Sequence, residues 1–343
     1  MPLVLESLNS ALHQAFSDNK NVYLLGEDVL DPYGGAFKVT RGLSTDFPDR
    51  VLTTPISEAG FVGVAAGMAL RGLRPVVEIM FGDFISLIAD QLINHITKFQ
   101  WMYNDQVTVP LVIRTPMGGR RGYGPTHSQT LEKLYLGVPG LCVVAPAAVS
   151  LPDGSGSPGD LLYHLIMETE EPVLFIENKL QYLLPVRNQL DLKELMITTD
   201  HDSLDISLPC YRFSVRGAPP AVLTIAAYGY MAELARQAVE RLAYEHEIFS
   251  ELVVPTQLSP FKVEPILNSI HQTGALLVVE EGTYTLGWGA ELLARAAETP
   301  GTRSVRFKRL AAKEVPVPAS GPLEAEVLPG VEHIIQSAIQ MRQ

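Results

Sequence analysis

Apolar positions along the chain fall into two alternating patterns. Short runs with almost no polar interruption read as strands buried on both faces of a parallel sheet: NVYLLGED at 21–28, RPVVEIMF at 74–81, VPLVIRTP at 109–116, GLCVVAP at 140–146 and PVLFIEN at 172–178. Between them the apolar positions return at helical spacing. Leu5, Leu8, Leu12 and Ala15 mark one helix face, and Leu161, Leu162, Leu165 and Ile166 mark another over about 160–169. Ile85, Ile88, Leu92, Ile96 and Phe99 predict one long amphipathic helix over 83–102. Gly60, Gly63 and Gly67 lie at helical spacing in ISEAGFVGVAAGMALRG, where they predict close approach of another backbone.

Long periodic elements are absent between Pro185 and Pro220, and then the pattern restarts. AVLTIAAYG, IFSELVVP and ALLVVEEG read as strands; MAELARQAVERLAYE, LGWGAELLARAAE and VEHIIQSAIQMR read as helices. Strands alternating with helices in both halves predict an α/β fold of two domains with mostly parallel sheets. The expected division is 1–190, a linker over 191–215, and 216–343. The stretch SLPDGSGSPGD at 150–160 predicts an exposed loop.

Composition removes several function classes. Lys plus Arg is 26 against 38 Asp plus Glu, a net charge of −12, which disfavours nucleic acid and anionic membrane as partners. The two cysteines, Cys142 and Cys210, make no disulfide framework or C-x-x-C pair. The first residues lack a basic start followed by an apolar core, and the apolar run at 60–70 is shorter than the ~18 residues a membrane span needs. These features predict a cytoplasmic protein. Phosphate-loop, G-x-G-x-x-G, H-E-x-x-H and G-x-S-x-G motifs are absent, and none of the eight histidines has metal-ligand spacing. No metal site is expected.

Three clusters could carry chemistry. Thr54-Pro55-Ile56-Ser57-Glu58-Ala59-Gly60 sits where a strand ends and a helix begins. Glu58 lies among apolar residues, which would raise its proton affinity; alternatively Ser57 caps the helix and Glu58 favours its positive end. The run from Gly118 to Gln129 follows a buried strand and carries Arg120, Arg121 and His127. It reads as a ligand-approaching loop or as an exposed turn with a cap at Ser128. Phe84, after Phe81-Gly82-Asp83, could pack flat on a planar ligand or simply fill core. Glu280 and Glu281 read as an exposed strand end.

These clusters, in this order, resemble the beta subunit of the thiamine-diphosphate-dependent decarboxylase component of 2-oxo acid dehydrogenase complexes. The likeness runs through LLGEDV, YGGAFKVTRGL, DRVLTTPISEAGFVGVAAGMALRGLRPVVEIMF, HSQTLEKLYLGVPGLCVVAP, EPVLFIENKLQY, VVPTQLSPF, LLVVEEGTYTLGWGAELLAR and PVPASGPLEAEVLP. It implies a transketolase-like pyrimidine-binding domain followed by a transketolase C-terminal-like domain. It implies that Glu58 hydrogen-bonds a ring nitrogen of the cofactor's aminopyrimidine and that Phe84 packs against that ring. The turn containing Ile56 and Ser57 would frame the cofactor, and His127 would orient the 2-oxo acid or assist acyl transfer. The resemblance further implies that thiamine diphosphate is shared with an alpha subunit in an alpha2-beta2 heterotetramer. Mg2+ is expected on that alpha subunit, because Gly-Asp-Gly is missing here. A lipoyl acyltransferase or carrier protein is a further implied partner.

Three stretches depart from the family pattern. The loop GGRRGYGPT is unusually basic, 150–160 resembles an insertion, and Thr169-Glu170-Glu171 stands where an Asp-rich turn is expected. The expected activity is decarboxylation of a 2-oxo acid with acyl transfer to a lipoyl group. A carboligase or ketol transferase of specialised metabolism, and a non-catalytic scaffold subunit, are the alternatives.

Overall fold

The structure is a computed structural model that describes residues 1–200 and 208–342. Its strands in chain order are β1 (Val22–Gly26), β2 (Val51–Thr53), β3 (Arg74–Glu78), β4 (Val112–Met117), β5 (Cys142–Val144), β6 (Val173–Asn178), β7 (Leu195–Asp200), β8 (Cys210–Val215), β9 (Leu223–Ala227), β10 (Ser250–Pro255), β11 (Gln257–Ser259), β12 (Ala275–Thr283) and β13 (Arg306–Ala312). They form two sheets, ordered β11-β5-β6-β4-β3-β1-β2 and β13-β12-β9-β10-β8-β7. β1 to β6 are all parallel. In the second sheet β13, β12, β9 and β10 are parallel, while β8 runs antiparallel to β10 and to β7. The chain is therefore an α/β protein of two domains with mostly parallel sheets.

The expected linker over 191–215 carries strands. β7 and β8 pair with each other in register from Leu195↔Val215 to Asp200↔Cys210, and they extend the second sheet. Leu195, Tyr211 and Phe213 are buried there, so β7 and β8 belong to a core. Residues 201–207 of that expected linker, and residue 343, lie outside the described residues. The second half also reaches back, since β11 adds antiparallel to β5 at the edge of the first sheet. One apolar cluster accordingly runs from Ile113 and Leu174 to Val253, Leu276 and Trp288, which ties the two sheets together.

The helix expected over 83–102 is broken. A tight 3-10 segment Gly82–Ile88 is followed by a wide π turn Gln91–His95, a 3-10 turn Ile96–Lys98 and a last α-turn Phe99–Met102. Polar side chains compete with the ladder here: the Thr97 hydroxyl donates to the Leu92 and Ile93 carbonyls at 3.0 and 3.3 Å. The apolar face survives, with Ile85, Ile88, Leu92 and Ile96 all buried.

Only 152–154 of the loop at 150–160 are fully exposed. Ser157 accepts from the Asp160 amide at 3.2 Å and Pro158 opens the helix Pro158–Glu168, so the helix starts earlier than expected. Its neighbour is the first helix, Val4–Asp18, where a Cβ on Gly159 would lie 2.2 Å from the Ser7 carbonyl oxygen.

Candidate functional site

Parallel strands share one direction, so the residues that follow β1, β2, β3, β4 and β6 emerge along one edge of the first sheet. Glu27 follows β1, Glu58 follows β2, Phe81 to Phe84 follow β3, the loop 118–129 follows β4, and Lys179 follows β6.

Glu58 opens the helix Glu58–Leu70 and is only 6% exposed. Ser57 stands at the cap position but its side chain makes no capping hydrogen bond, and Ser57 and Ile56 are both exposed. The cap explanation therefore rests on the helix dipole alone. No hydrogen-bond donor among the described residues reaches the Glu58 carboxylate. Its electrostatic neighbour is Glu27, also buried, whose Oε1 is without a hydrogen-bond partner. Burial first, then the charge of Glu58, then that of Asp28, hold Glu27 above the usual carboxylate range. Glu27 is therefore the group of this turn that favours holding a proton. Glu27 escapes sequence reasoning, since an acid just after a strand looks like a solvated turn.

Phe84 and His127 are brought together. His127 lies 4.8 Å from Phe81 and 5.4 Å from Phe84 by ring centroids, both nearly edge-on. Thr126 Oγ1 sits 3.0 Å from His127 Nδ1. Asp83, buried, accepts from the Gln129 amide and side chain at 3.2 and 2.9 Å, which joins the Phe84 turn to the histidine loop. Lys179, 1% exposed, donates to the His127 carbonyl oxygen and lies 5.3 Å from the Phe81 ring centre and 5.7 Å from that of Tyr123. Burial pulls its ammonium down to about 8. Lys179 is a second residue that sequence reasoning missed, because a lysine after a strand ordinarily faces water.

The expected cap at Ser128 is not formed: Ser128 is buried, its hydroxyl has no partner, and the next helical turn begins at Glu132. The arginines divide. Arg120 is half-buried, with an ion pair to Glu281 at 3.0 Å and a hydrogen bond to the Pro329 carbonyl, whereas Arg121 is exposed beside Tyr123. Glu280 and Glu281, expected at an exposed strand end, are 1% and 5% exposed because the histidine loop and Glu132 cover them.

Glu280 accepts from the Gly289 amide at 3.1 Å at the start of the helix Trp288–Glu298. Burial, and then the nearby Glu132, push it up to about 7. A carboxyl raised in this way stabilises the fold fully below its unfolded value near 4.5 and loses that contribution as pH rises through about 7. Glu280→Gln is accordingly expected to flatten the pH dependence of the urea midpoint between pH 5 and 8. By linkage it should stabilise the chain at pH 8 by on the order of 2–3 kcal/mol. Parallel curves for the two proteins would contradict this.

Residues 3–183 match the family model described as "Transketolase, pyrimidine binding domain", and residues 219–334 match "Transketolase, C-terminal domain". The chain is 36% identical to pyruvate dehydrogenase E1 component subunit beta-1, mitochondrial, of Oryza sativa subsp. japonica, over 98% of this chain and 85% of that protein. It is 31% identical to acetoin:2,6-dichlorophenolindophenol oxidoreductase subunit beta of Bacillus subtilis (strain 168), over 98% and 96% of the two chains. A solved structure titled "Split gene transketolase, inactive beta4 tetramer" superposes with a TM-score of 0.69 at 18% identity, over 98% and 97% of the two chains, a likeness of fold.

Proposed function

The chain belongs to the transketolase-like beta subunits of 2-oxo acid dehydrogenase E1 components, and from that premise we propose that it is the beta half of a thiamine-diphosphate-dependent enzyme. The reaction is decarboxylation of a 2-oxo acid with transfer of the acyl group to a lipoyl acceptor, and it requires an alpha subunit. Glu58 carries this reading: a buried carboxylate with no donor among the described residues, at a strand end, beside a second acid.

The described residues fit half of the cofactor. Glu58 offers a carboxylate to a ring nitrogen, and the Phe81–Phe84 pair offers aromatic faces at 5.8 Å spacing. Among the described residues no group of three or more His, Cys, Asp or Glu is arranged to hold a metal, so the diphosphate and Mg2+ are assigned to the alpha subunit. Bound thiamine diphosphate would supply the electron sink for decarboxylation. Glu58, with Glu27 against it, would hold the proton exchanged with the ring nitrogen. Phe84 would orient the ring, with Ile56 and Ser57 framing it, and His127 would offer a donor or acceptor at the substrate's entrance.

The helix that begins at Glu58 supports the partner. It has no charged residue after Glu58, yet Gly60, Gly63, Val64 and Gly67 face outward, with Val64 58% exposed. A Cβ on Gly63 or Gly67 would meet nothing within 4 Å, so no backbone of the described residues is what these glycines admit. Ile56, 87% exposed, extends the apolar surface. An all-round apolar helix belongs inside an interface, and we assign this face to the alpha subunit of an alpha2-beta2 tetramer. Gly63→Leu, which raises intrinsic helix stability by roughly 1 kcal/mol, is expected to leave a folded chain that no longer co-elutes with the alpha subunit. A stoichiometric tetramer from that variant removes the face from the interface.

No described helix is long and apolar enough to cross a membrane. A cytoplasmic setting is part of the proposal, supported by a sequence with only two cysteines and no disulfide framework. The test is reconstitution with a Gly-Asp-Gly-bearing alpha chain, thiamine diphosphate, Mg2+, a series of 2-oxo acids and lipoamide. Release of CO2 with acyl-lipoamide is expected. Ketol formation with aldehydes and no acyl-lipoamide would replace the lipoyl acceptor, and absence of any 2-oxo acid consumption would remove the reading.

A further inference from the structure

We propose that the second domain holds the histidine-bearing loop of the first in place, with Glu281 and Glu324 as positioning residues for His127. Glu281 belongs to β12 and Glu324 to the helix Gly321–Val327, and both are at least 95% buried. Their acceptors converge on three backbone amides within the short stretch 119–122 of the loop. Glu281 accepts from the Gly119 amide at 2.7 Å, and Glu324 accepts from the Arg120 amide at 2.7 Å and from the Gly122 amide at 3.3 Å. Amide hydrogen bonds to buried carboxylates are about twice as strong as neutral ones. The Arg120 side chain closes the same seam, pairing with Glu281 and donating to the Pro329 carbonyl.

The loop's own backbone requires such holding. Arg120 has φ +66°, a left-handed conformation that a side chain adopts only when its surroundings over-determine it. Gly119 admits the second domain: a Cβ there would stand 2.5 Å from Leu328 Cδ1 and 2.9 Å from Glu324 Oε1. At its other end the loop is fixed by its own domain, through Lys179 on the His127 carbonyl and Asp83 on Gln129. His127 thus hangs between one anchor in each domain. Its position relative to Phe84 depends on the seam, and the second domain acquires a role at a site to which it contributes no side chain assigned above.

The inference deepens the proposed role of His127, and the experiment separates the two. Hydrogen exchange is measured on the assembled complex of wild type, Glu324→Ala, Glu324→Gln and Gly119→Ala, alongside kcat, KM and thiamine diphosphate affinity. Glu324→Ala is expected to speed exchange across 118–129 at least tenfold and to lower kcat about tenfold. Cofactor affinity should stay within twofold, since Glu58 lies on another strand end. Glu324→Gln, which retains an acceptor, is expected to recover most of both. Gly119→Ala reaches the same seam from the loop side and is expected to reproduce the exchange signature if Glu324→Ala folds poorly. Unchanged loop exchange in Glu324→Ala and Gly119→Ala overturns the proposal, as does faster exchange with kcat and KM both within twofold of wild type. A wild-type complex without 2-oxo acid activity defeats the functional reading alone, and the exchange arm then decides whether the second domain holds the loop.

Discussion

Glu58→Gln is expected to lower 2-oxo acid turnover by the complete alpha and beta assembly roughly 100- to 10,000-fold, the range for loss of a positioned acid-base group. Glutamine keeps the shape and the apolar contacts of the side chain, so the melting temperature should change little. What it removes is the ability to take and return a proton at a place where no donor of the described residues reaches the carboxylate. The neighbour provides a second readout. Glu27 is held above the usual carboxylate range partly by the charge of Glu58, so that part of its shift should vanish in the variant. Glu27→Gln alone leaves the Glu58 carboxyl group in place and should cost far less, on the order of tenfold in rate. Thiamine diphosphate affinity by calorimetry and initial rates with the preferred 2-oxo acid measure the effect. Turnover of Glu58→Gln within threefold of wild type would sink the assignment.

Glu58 is legible in the sequence, and its surroundings are not, for one physical reason. A strand buried on both faces appears as an apolar run, and a residue at the end of such a run in an α/β chain lies where ligands bind; β3, β4, β6 and the turn before Glu58 follow that rule. The residues that set the environment at those strand ends are buried by parts of the chain far away. Glu281 meets its loop partner across 162 positions and Glu324 across 204, and no local pattern reports such a contact. Glu280, Glu281 and Lys179 look solvated for the same reason, since charged residues are ordinarily outside and only tertiary packing says otherwise. β7 and β8 are invisible for a different reason: they are short and mixed in polarity, and the antiparallel pairing that buries Leu195 and Phe213 is not encoded in period. The break in 83–102 is a third case, in which the apolar face is correct but Thr97 competes for the backbone carbonyls that a regular helix would use.

Arg114→Met is expected to destabilise the chain by about 3–5 kcal/mol, the scale for leaving buried charges unpaired. Arg114 sits in the middle of β4 and is 1% exposed. Its guanidinium forks onto Glu177 of β6, Nε to Oε1 at 2.7 Å and Nη2 to Oε2 at 2.5 Å, and Nη1 reaches Glu78 of β3. Tyr182 donates its hydroxyl to the same Glu177. One cation thus serves two carboxylates from the strands on either side, and burial still holds Glu78 above the usual carboxylate range. Methionine fills similar volume without charge, so the deficit would come from stranded carboxylates more than from a cavity. That origin has a signature. With Arg114 gone, Glu78, already raised by burial and held down by Arg114, should gain further affinity for protons, so the variant's deficit should shrink as pH falls from 8 to 5 in urea melts. A pH-independent deficit would point to lost packing. Adding Glu78→Gln and Glu177→Gln to Arg114→Met should recover part of the stability at pH 8, because neutral amides relieve the desolvated charge. The triad lies directly beneath the strand ends that carry Phe81, the histidine loop and Lys179, and Gly35 packs so closely that a Cβ there would stand 2.4 Å from Glu78 Oε1. Its ionic pairing therefore fixes the mutual spacing of β3, β4 and β6, and Arg114→Met should lose activity at temperatures where it is still folded, as the loops those strands carry lose their common base.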